Sequence, residues 1–184
     1  NLYRSLLLIF LSFSLNATEK PNVLLIMVDD MNTMLSTYGD TQVKTPNLEK
    51  LKAKGIQFNR AYVQYPQCTA SRASMLTGLY PGQNGVTQLR QHFRNYVPWV
   101  KTLPQVFKEN GYYTARVGKI FHYDVPREMG TDGMDDPISW IDKYNPVGID
   151  RTDHKKTKWL GPRKPKDKWG GGAISWIRAG GSSQ

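Results

Sequence analysis

Pro21-Asn22-Val23-Leu24-Leu25-Ile26-Met27-Val28-Asp29-Asp30 is the stretch that decides the fold. Residues 22–28 form an essentially apolar run behind a proline. A run with no polar alternation reads as a strand buried on both faces, as in parallel sheets. Asp29 and Asp30 follow at once. In open α/β sheets the carboxyl ends of the strands are where ligands bind. Adjacent carboxylates there are costly unless a cation neutralises them. Calcium would suit, because it takes several hard oxygen ligands and tolerates irregular geometry. A pair of solvated loop aspartates fits the same pattern equally well.

Working outward, helix and strand signals alternate. Thr45 is a good N-cap and Pro46 a good first helical residue, with Leu48 and Leu51 on one face and Gly55 at the end. Residues 56–63 read as a second strand, with Ile56, Phe58, Arg60 and Tyr62 on one face; Arg60 breaks the apolar alternation. Thr102 caps another helix, lined by Leu103, Val106 and Phe107 and ended by Gly111. Residues 112–117 read as a third strand, with Tyr113, Ala115 and Val117 alternating. This βαβ order predicts an α/β fold with a mostly parallel central sheet flanked by helices. Residues 83–100 read as loop with a short helix, and nothing beyond Asp124 signals a long element. His92 and His154 read as surface residues. There is no internal repeat, P-loop, GxGxxG or HExxH.

Between the second strand and the next helix lies Cys68-Thr69-Ala70-Ser71-Arg72-Ala73-Ser74-Met75-Leu76-Thr77-Gly78, with the chain's one cysteine. A lone cysteine forms no intrachain disulfide, so it is free, structural or chemically used. Residues 71–77 read as a helix ending at Gly78, with Tyr80-Pro81-Gly82 as a turn. A helix start and Arg72 both favour an anion beside Cys68. Lys119 and His122 follow the third strand. Three strand ends therefore deliver Asp29 with Asp30, Cys68 with Arg72, and Lys119 with His122 to one sheet edge. That is the composition of an anion-handling hydrolase with a metal. A soft thiolate and hard calcium are poor companions, however, so an oxygen is wanted at position 68.

The chain has 184 residues, enough for one domain with a real core. Its formal net charge of +10 favours anionic partners. Basic residues concentrate beyond Tyr144, which we read as a solvated basic loop in preference to a binding surface. Residues 1–17 read as an export signal: Arg4, an apolar run over 6–13, then Ser14-Leu15-Asn16-Ala17. The alternative is a buried N-terminal strand. The run is shorter than the roughly 20 residues a stable membrane span needs. The chain begins at Asn1 rather than methionine and stops without a closing element, which reads as a fragment.

Cys68-Thr69-Ala70-Ser71-Arg72 followed by Leu76-Thr77-Gly78 resembles the signature of the type I sulfatases, Cys-x-(Pro or Ala)-Ser-Arg-x-x-x-Leu-Thr-Gly. Residues 22–30 resemble that family's first strand and calcium aspartates. Thr45-Pro46-Asn47-Leu48, Gly55-Ile56-Gln57-Phe58, Gly111-Tyr112-Tyr113-Thr114 and Gly118-Lys119-Ile120-Phe121-His122 resemble later motifs in matching order and spacing. The likeness covers about 21–122. Residues 107–122 most resemble the iduronate 2-sulfatase-like branch. Ala70 stands where proline is commonest, which leaves open which maturation system acts.

The resemblance implies an alkaline-phosphatase-like α/β fold, incomplete at its C-terminus, with 18–184 as the N-terminal part of a truncated catalytic domain. It implies sulfate-ester hydrolysis on a sulfated glycan such as a uronate 2-O-sulfate. Cys68 would be converted to Cα-formylglycine by a formylglycine-generating or sulfatase-maturating enzyme, and its hydrate would be the nucleophile. Asp29, Asp30 and residue 68 would hold Ca2+, while Arg72, Lys119 and His122 complete the catalytic set. The remaining calcium ligands and the leaving-group acid would lie outside this chain, so the segment alone is expected to be inactive. Asp153-His154-Lys155 lacks the glycine of the family's later calcium motif and comes too early to serve as it. The implied location is exported, periplasmic or secreted, with no nucleic-acid partner. The alternatives are a phosphonate or phosphate ester hydrolase of the same superfamily and a non-catalytic polyanion-binding protein.

Overall fold

Pro46 starts the first helix, α1 (Pro46–Lys52), as its fixed backbone angle favours. The Thr45 hydroxyl does not cap the helix backbone; it meets the Ser36 hydroxyl at 2.6 Å. The helix also stops three residues short of Gly55, and Leu48 and Leu51 are exposed. This computed structural model describes residues 20–125 and 127–152. The expected export signal, His154 and most of the basic segment lie outside the described residues.

Helix α2 (Cys68–Thr77) organises the core. It begins at Cys68 rather than at Ser71, because Gln67 still has extended backbone and the turn from Tyr65 ends there. Gly78 closes it in the left-handed region at φ 71°, where its N–H reaches the Ser74 carbonyl. Ala70, Ala73 and Leu76 form one buried stripe at helical spacing. Against it pack Val86, Phe93, Val97 and Phe121, with Tyr65, Leu79, Val100, Ile120 and Trp140 at the margin. Phe93 and Phe121 stack at 5.7 Å between ring centres, and Trp140 meets Phe121 edge-on. The expected turn at Tyr80-Pro81-Gly82 continues into a short helix, α3 (Pro81–Asn84). It closes on Gly85 at φ 74°, where any side chain would strike the Tyr96 ring.

Helix α4 (Leu103–Glu109) follows the expected cap, as the Thr102 hydroxyl accepts from the Gln105 N–H at 3.3 Å. That hydroxyl is fully buried and also meets the Ser139 hydroxyl. Ser139 donates to Asp136 at 2.6 Å, and Arg94 grips Asp136 through two bonds of 3.0 and 2.8 Å. Asp136 is 1% exposed, so this ring of bonds is what makes its burial tolerable. Thr102→Val removes the cap and the hydroxyl that meets Ser139, which keeps its bond to Asp136. We expect a loss of about 1–2 kcal/mol in unfolding free energy, read as a lower denaturant midpoint of the full-length protein, with Thr102→Ser close to wild type. An unchanged midpoint in the valine variant would show that the ring carries no load.

The third expected strand forms as β1 (Ala115–Val117). It pairs in parallel with β2 (Asp142–Tyr144), in register from Ala115↔Asp142 to Val117↔Tyr144. The strand is shorter than the expected 112–117. Ala115 and Val117 point outward, and the buried side chain is Arg116. Arg116 is held by Asp135 at 2.7 Å, Asn145 at 2.8 Å, the Gly118 carbonyl at 3.0 Å and Asp132 at 3.2 Å. A fifth short helix, α5 (Ile149–Thr152), follows.

The other two expected strands do not form. Residues 22–28 pair with nothing described, and Leu24 and Ile26 are 84% and 72% exposed. Ile56, Phe58, Tyr62 and Val63 are also exposed. An apolar parallel strand needs neighbours on its edges and cover on its faces, and no described segment supplies either. The described sheet is therefore parallel but small. Among the described residues, no helix is long and apolar enough to cross a membrane.

Candidate active site

The chain leaves residues 22–28 at Asp29, and Asp30 turns it sharply at φ 54°. Aspartate is one of the few residues that tolerates this left-handed conformation. Helix α2 places Cys68 on its first turn and Arg72 on the next. Gly118, at φ 70°, ends β1 and turns the chain toward Lys119.

Arg72 knots these three segments together. It is 6% exposed. Its Nη2 donates to Asp29 Oδ1 at 2.8 Å, and its Nη1 donates to the Lys119 and Ile120 carbonyls, both at 2.8 Å. Lys119 Nζ donates to the other Asp29 oxygen at 2.6 Å. Burial pushes the Asp29 carboxyl up, but hydrogen bonds from Lys119 and Arg72 and their positive charges outweigh it, so its pKa lies below the usual carboxylate value. Asp29 is thus ionised at neutral pH.

The ligand atoms of Asp29, Asp30 and Cys68 all lie within 4.8 Å of one another. Each Asp29 oxygen has a second lone pair beyond the one its cationic partner uses. Two carboxylates suit a hard divalent cation, while the Cys68 sulfur does not. The set fits calcium once residue 68 presents oxygen. Three donors fall short of the six to eight that calcium takes, so further ligands must come from elsewhere.

His122 lies at the same strand end and is also buried. Its carbonyl accepts from the Met134 N–H at 2.8 Å, and its Nε2 lies 3.3 Å from Asp124 Oδ1. Burial, and then the Lys119 charge, hold its pKa below the ordinary histidine value against the opposing pull of Asp124 and Glu128. The imidazole is therefore neutral near pH 7. Its Nδ1 is buried without a hydrogen-bond partner among the described residues.

The structure thus brings Asp29, Asp30, Cys68, Arg72 and Lys119 into one cluster, with His122 beside it and bonded to Asp124. Sequence reasoning missed Asp124, which no motif singles out. It also misplaced His92, which is not a free surface residue. His92 Nδ1 caps the turn at Arg94, its Nε2 meets the Asp135 carbonyl at 3.0 Å, and its ring stacks on Phe93. Two ring nitrogens occupied by backbone partners make it a packing residue.

Comparison with known proteins extends this picture. The chain is 39% identical to the iduronate 2-sulfatases of Mus musculus and Homo sapiens over 132 residues, 71% of this chain. It is 38% identical to the N-acetylgalactosamine-6-sulfatase of Homo sapiens over 114 residues, 56% of this chain. These stretches cover 23%, 24% and 22% of the respective relatives, so the chain spans about a quarter of their length. Residues 21–160 match the sulfatase family as a whole, a span that contains every residue of the cluster. The chain belongs to the sulfatase family.

Proposed function

We propose that this chain is the N-terminal part of the catalytic domain of an exported sulfate-ester hydrolase acting on a sulfated glycan. The observation that carries the reading is the Asp29–Asp30–Cys68 donor cluster, braced by Arg72 and Lys119 through Asp29. A uronate 2-O-sulfate is the favoured substrate class, on the likeness to proteins named iduronate 2-sulfatase.

Asp29, Asp30 and the residue 68 oxygen would hold calcium. Bound there, calcium would polarise a sulfate oxygen and acidify the nucleophile, and Cα-formylglycine at position 68 would supply the nucleophilic oxygen as its hydrate. The chain's own residues do the rest. Arg72 fixes the position of Asp29 and holds the 119–120 backbone against helix α2. Lys119 places a positive charge where a sulfate group would carry negative charge. His122, neutral and buried, is available to take a proton from a hydroxyl. Residues 1–184 alone would lack the remaining calcium ligands and the leaving-group acid, and would be inactive. Maturation would require a formylglycine-generating or sulfatase-maturating enzyme that reads 68–78.

The test is turnover by the full-length protein of a uronate 2-O-sulfate, an N-acetylgalactosamine 6-sulfate and a matched phosphate monoester. Release of sulfate that stops on chelation and returns with calcium is expected. Preference for the phosphate ester would move the protein to the phosphoryl-transfer side of the superfamily. Salt-sensitive glycan binding with no turnover would make it a polyanion-binding protein.

The neutral His122 gives a pH prediction. A base with a lowered pKa stays deprotonated to lower pH, so the acid limb of kcat/KM should fall below the ordinary histidine value of about 6.5. The limb should vanish in His122→Gln. A limb above that value would contradict the burial argument.

A further inference from the structure

We propose that Asp124 is a positioning residue for His122, holding its proton on Nε2 so that Nδ1 is the basic atom of the site. The inference rests on the sulfate-ester reading above. An ionised carboxylate can only accept a hydrogen bond. At 3.3 Å from Asp124 Oδ1, His122 Nε2 must therefore be the nitrogen that carries the proton. In a neutral imidazole this leaves the lone pair on Nδ1. That atom is buried and has no partner among the described residues. A buried acceptor without a donor is costly. A hydroxyl brought within reach of Nδ1 would relieve that cost and lose its proton there.

Asp124 is itself held from both sides. Its N–H donates to Glu128 Oε2 at 2.7 Å, and its carbonyl accepts from the Glu128 N–H at 2.7 Å. Arg90 bridges the two carboxylates, reaching Asp124 Oδ2 and, at 3.0 Å, Glu128 Oε1. Arg127 Nη1 lies 3.9 Å from Asp124 Oδ2. His122 is anchored separately, through its backbone bridge to Met134. The charges acting on His122 are Lys119 on one side and Asp124 with Glu128 on the other. The arrangement is a base with an orienting carboxylate, the order found wherever an imidazole must keep one tautomer.

The test uses full-length enzyme labelled with 15N-histidine, with His122 assigned by the signal lost in His122→Gln. Above its titration, wild-type His122 should show a protonated Nε2 and a bare Nδ1. Asp124→Asn keeps the shape but presents an amide that can donate or accept. It should yield mixed tautomers and a midpoint shifted to lower pH, since the carboxylate favouring imidazolium is gone. Sulfate-ester kcat should fall roughly 10- to 100-fold, with KM within about two-fold. A wild-type proton on Nδ1 would overturn the assignment even if the variant does not fold. An unchanged tautomer and midpoint in Asp124→Asn would overturn it whatever happens to kcat. Were the wild type to hydrolyse no sulfate ester, the functional reading would fail while the two spectroscopic readouts still decided the role of Asp124.

Discussion

Cys68→Ala in the full-length enzyme is expected to lower sulfate-ester kcat by about 10⁴-fold or more, the scale on which removal of a covalent nucleophile acts. The same change should barely touch stability. Cys68 is half-buried on the first turn of α2, and alanine is a good helix former, so the thermal midpoint should correspond to a change within about 1 kcal/mol. The two measurements together separate chemistry from folding. Retained turnover with a normal midpoint would place the nucleophile elsewhere and reduce Cys68 to a packing residue.

Arg72→Ala is expected to damage both. Arg72 is buried and bonds to Asp29 and to two backbone carbonyls on a segment 47 and 48 residues away in sequence. Its loss leaves those carbonyls without their donor. Asp29 keeps Lys119 and is partly open to water, so its share of the cost is screened. We expect a loss of about 2–4 kcal/mol at pH 7, most of it from the carbonyls. The pH dependence has a definite sign. The Asp29 pKa is lowered in the folded state, so the stability it adds is present above the unfolded carboxylate value of about 3.9 and is lost as pH falls through the folded one. The gap between wild type and variant should therefore narrow in acid. Urea titrations at neutral and acid pH measure it, and a gap that widens would mean the pair is not stabilising. Arg72→Lys keeps the charge but lacks a planar fork that can serve three acceptors, so it should recover only part of the loss.

Local chemistry was the legible part of this sequence. Thr102 caps its helix, Pro46 opens one, and Gly78 closes α2, because each effect acts within a few residues. The cluster was legible too, since Asp29, Cys68 with Arg72, and Lys119 each follow a recognisable run. Membership of the sulfatase family carries an alkaline-phosphatase-like α/β fold, of which the described residues show helices and one small parallel sheet.

What was not legible depends on distant partners. Residues 22–28 have the composition of a central strand, but a strand exists only when paired, and composition does not say with what. The buried face of β1 was not legible, because a buried arginine looks polar in a pattern. Its burial becomes tolerable only through Asp135, Asp132 and Asn145, all far along the chain. His92 looked free for the same reason: one of its two partners, the Asp135 carbonyl, is 43 residues away. Asp124 carries no motif, and its place beside His122 follows from a turn that only the folded chain shows.

The central claim is that residue 68 is a precursor and that its working form presents oxygen. Its most direct test is the mass of the tryptic peptide spanning 61–72, from full-length protein made in a host with a formylglycine-generating enzyme. Conversion to formylglycine exchanges the sulfur and two hydrogens for one oxygen, and the account predicts that lighter, aldehyde-bearing peptide. A peptide carrying only the unmodified thiol, from a host that matures other sulfatases, would contradict it.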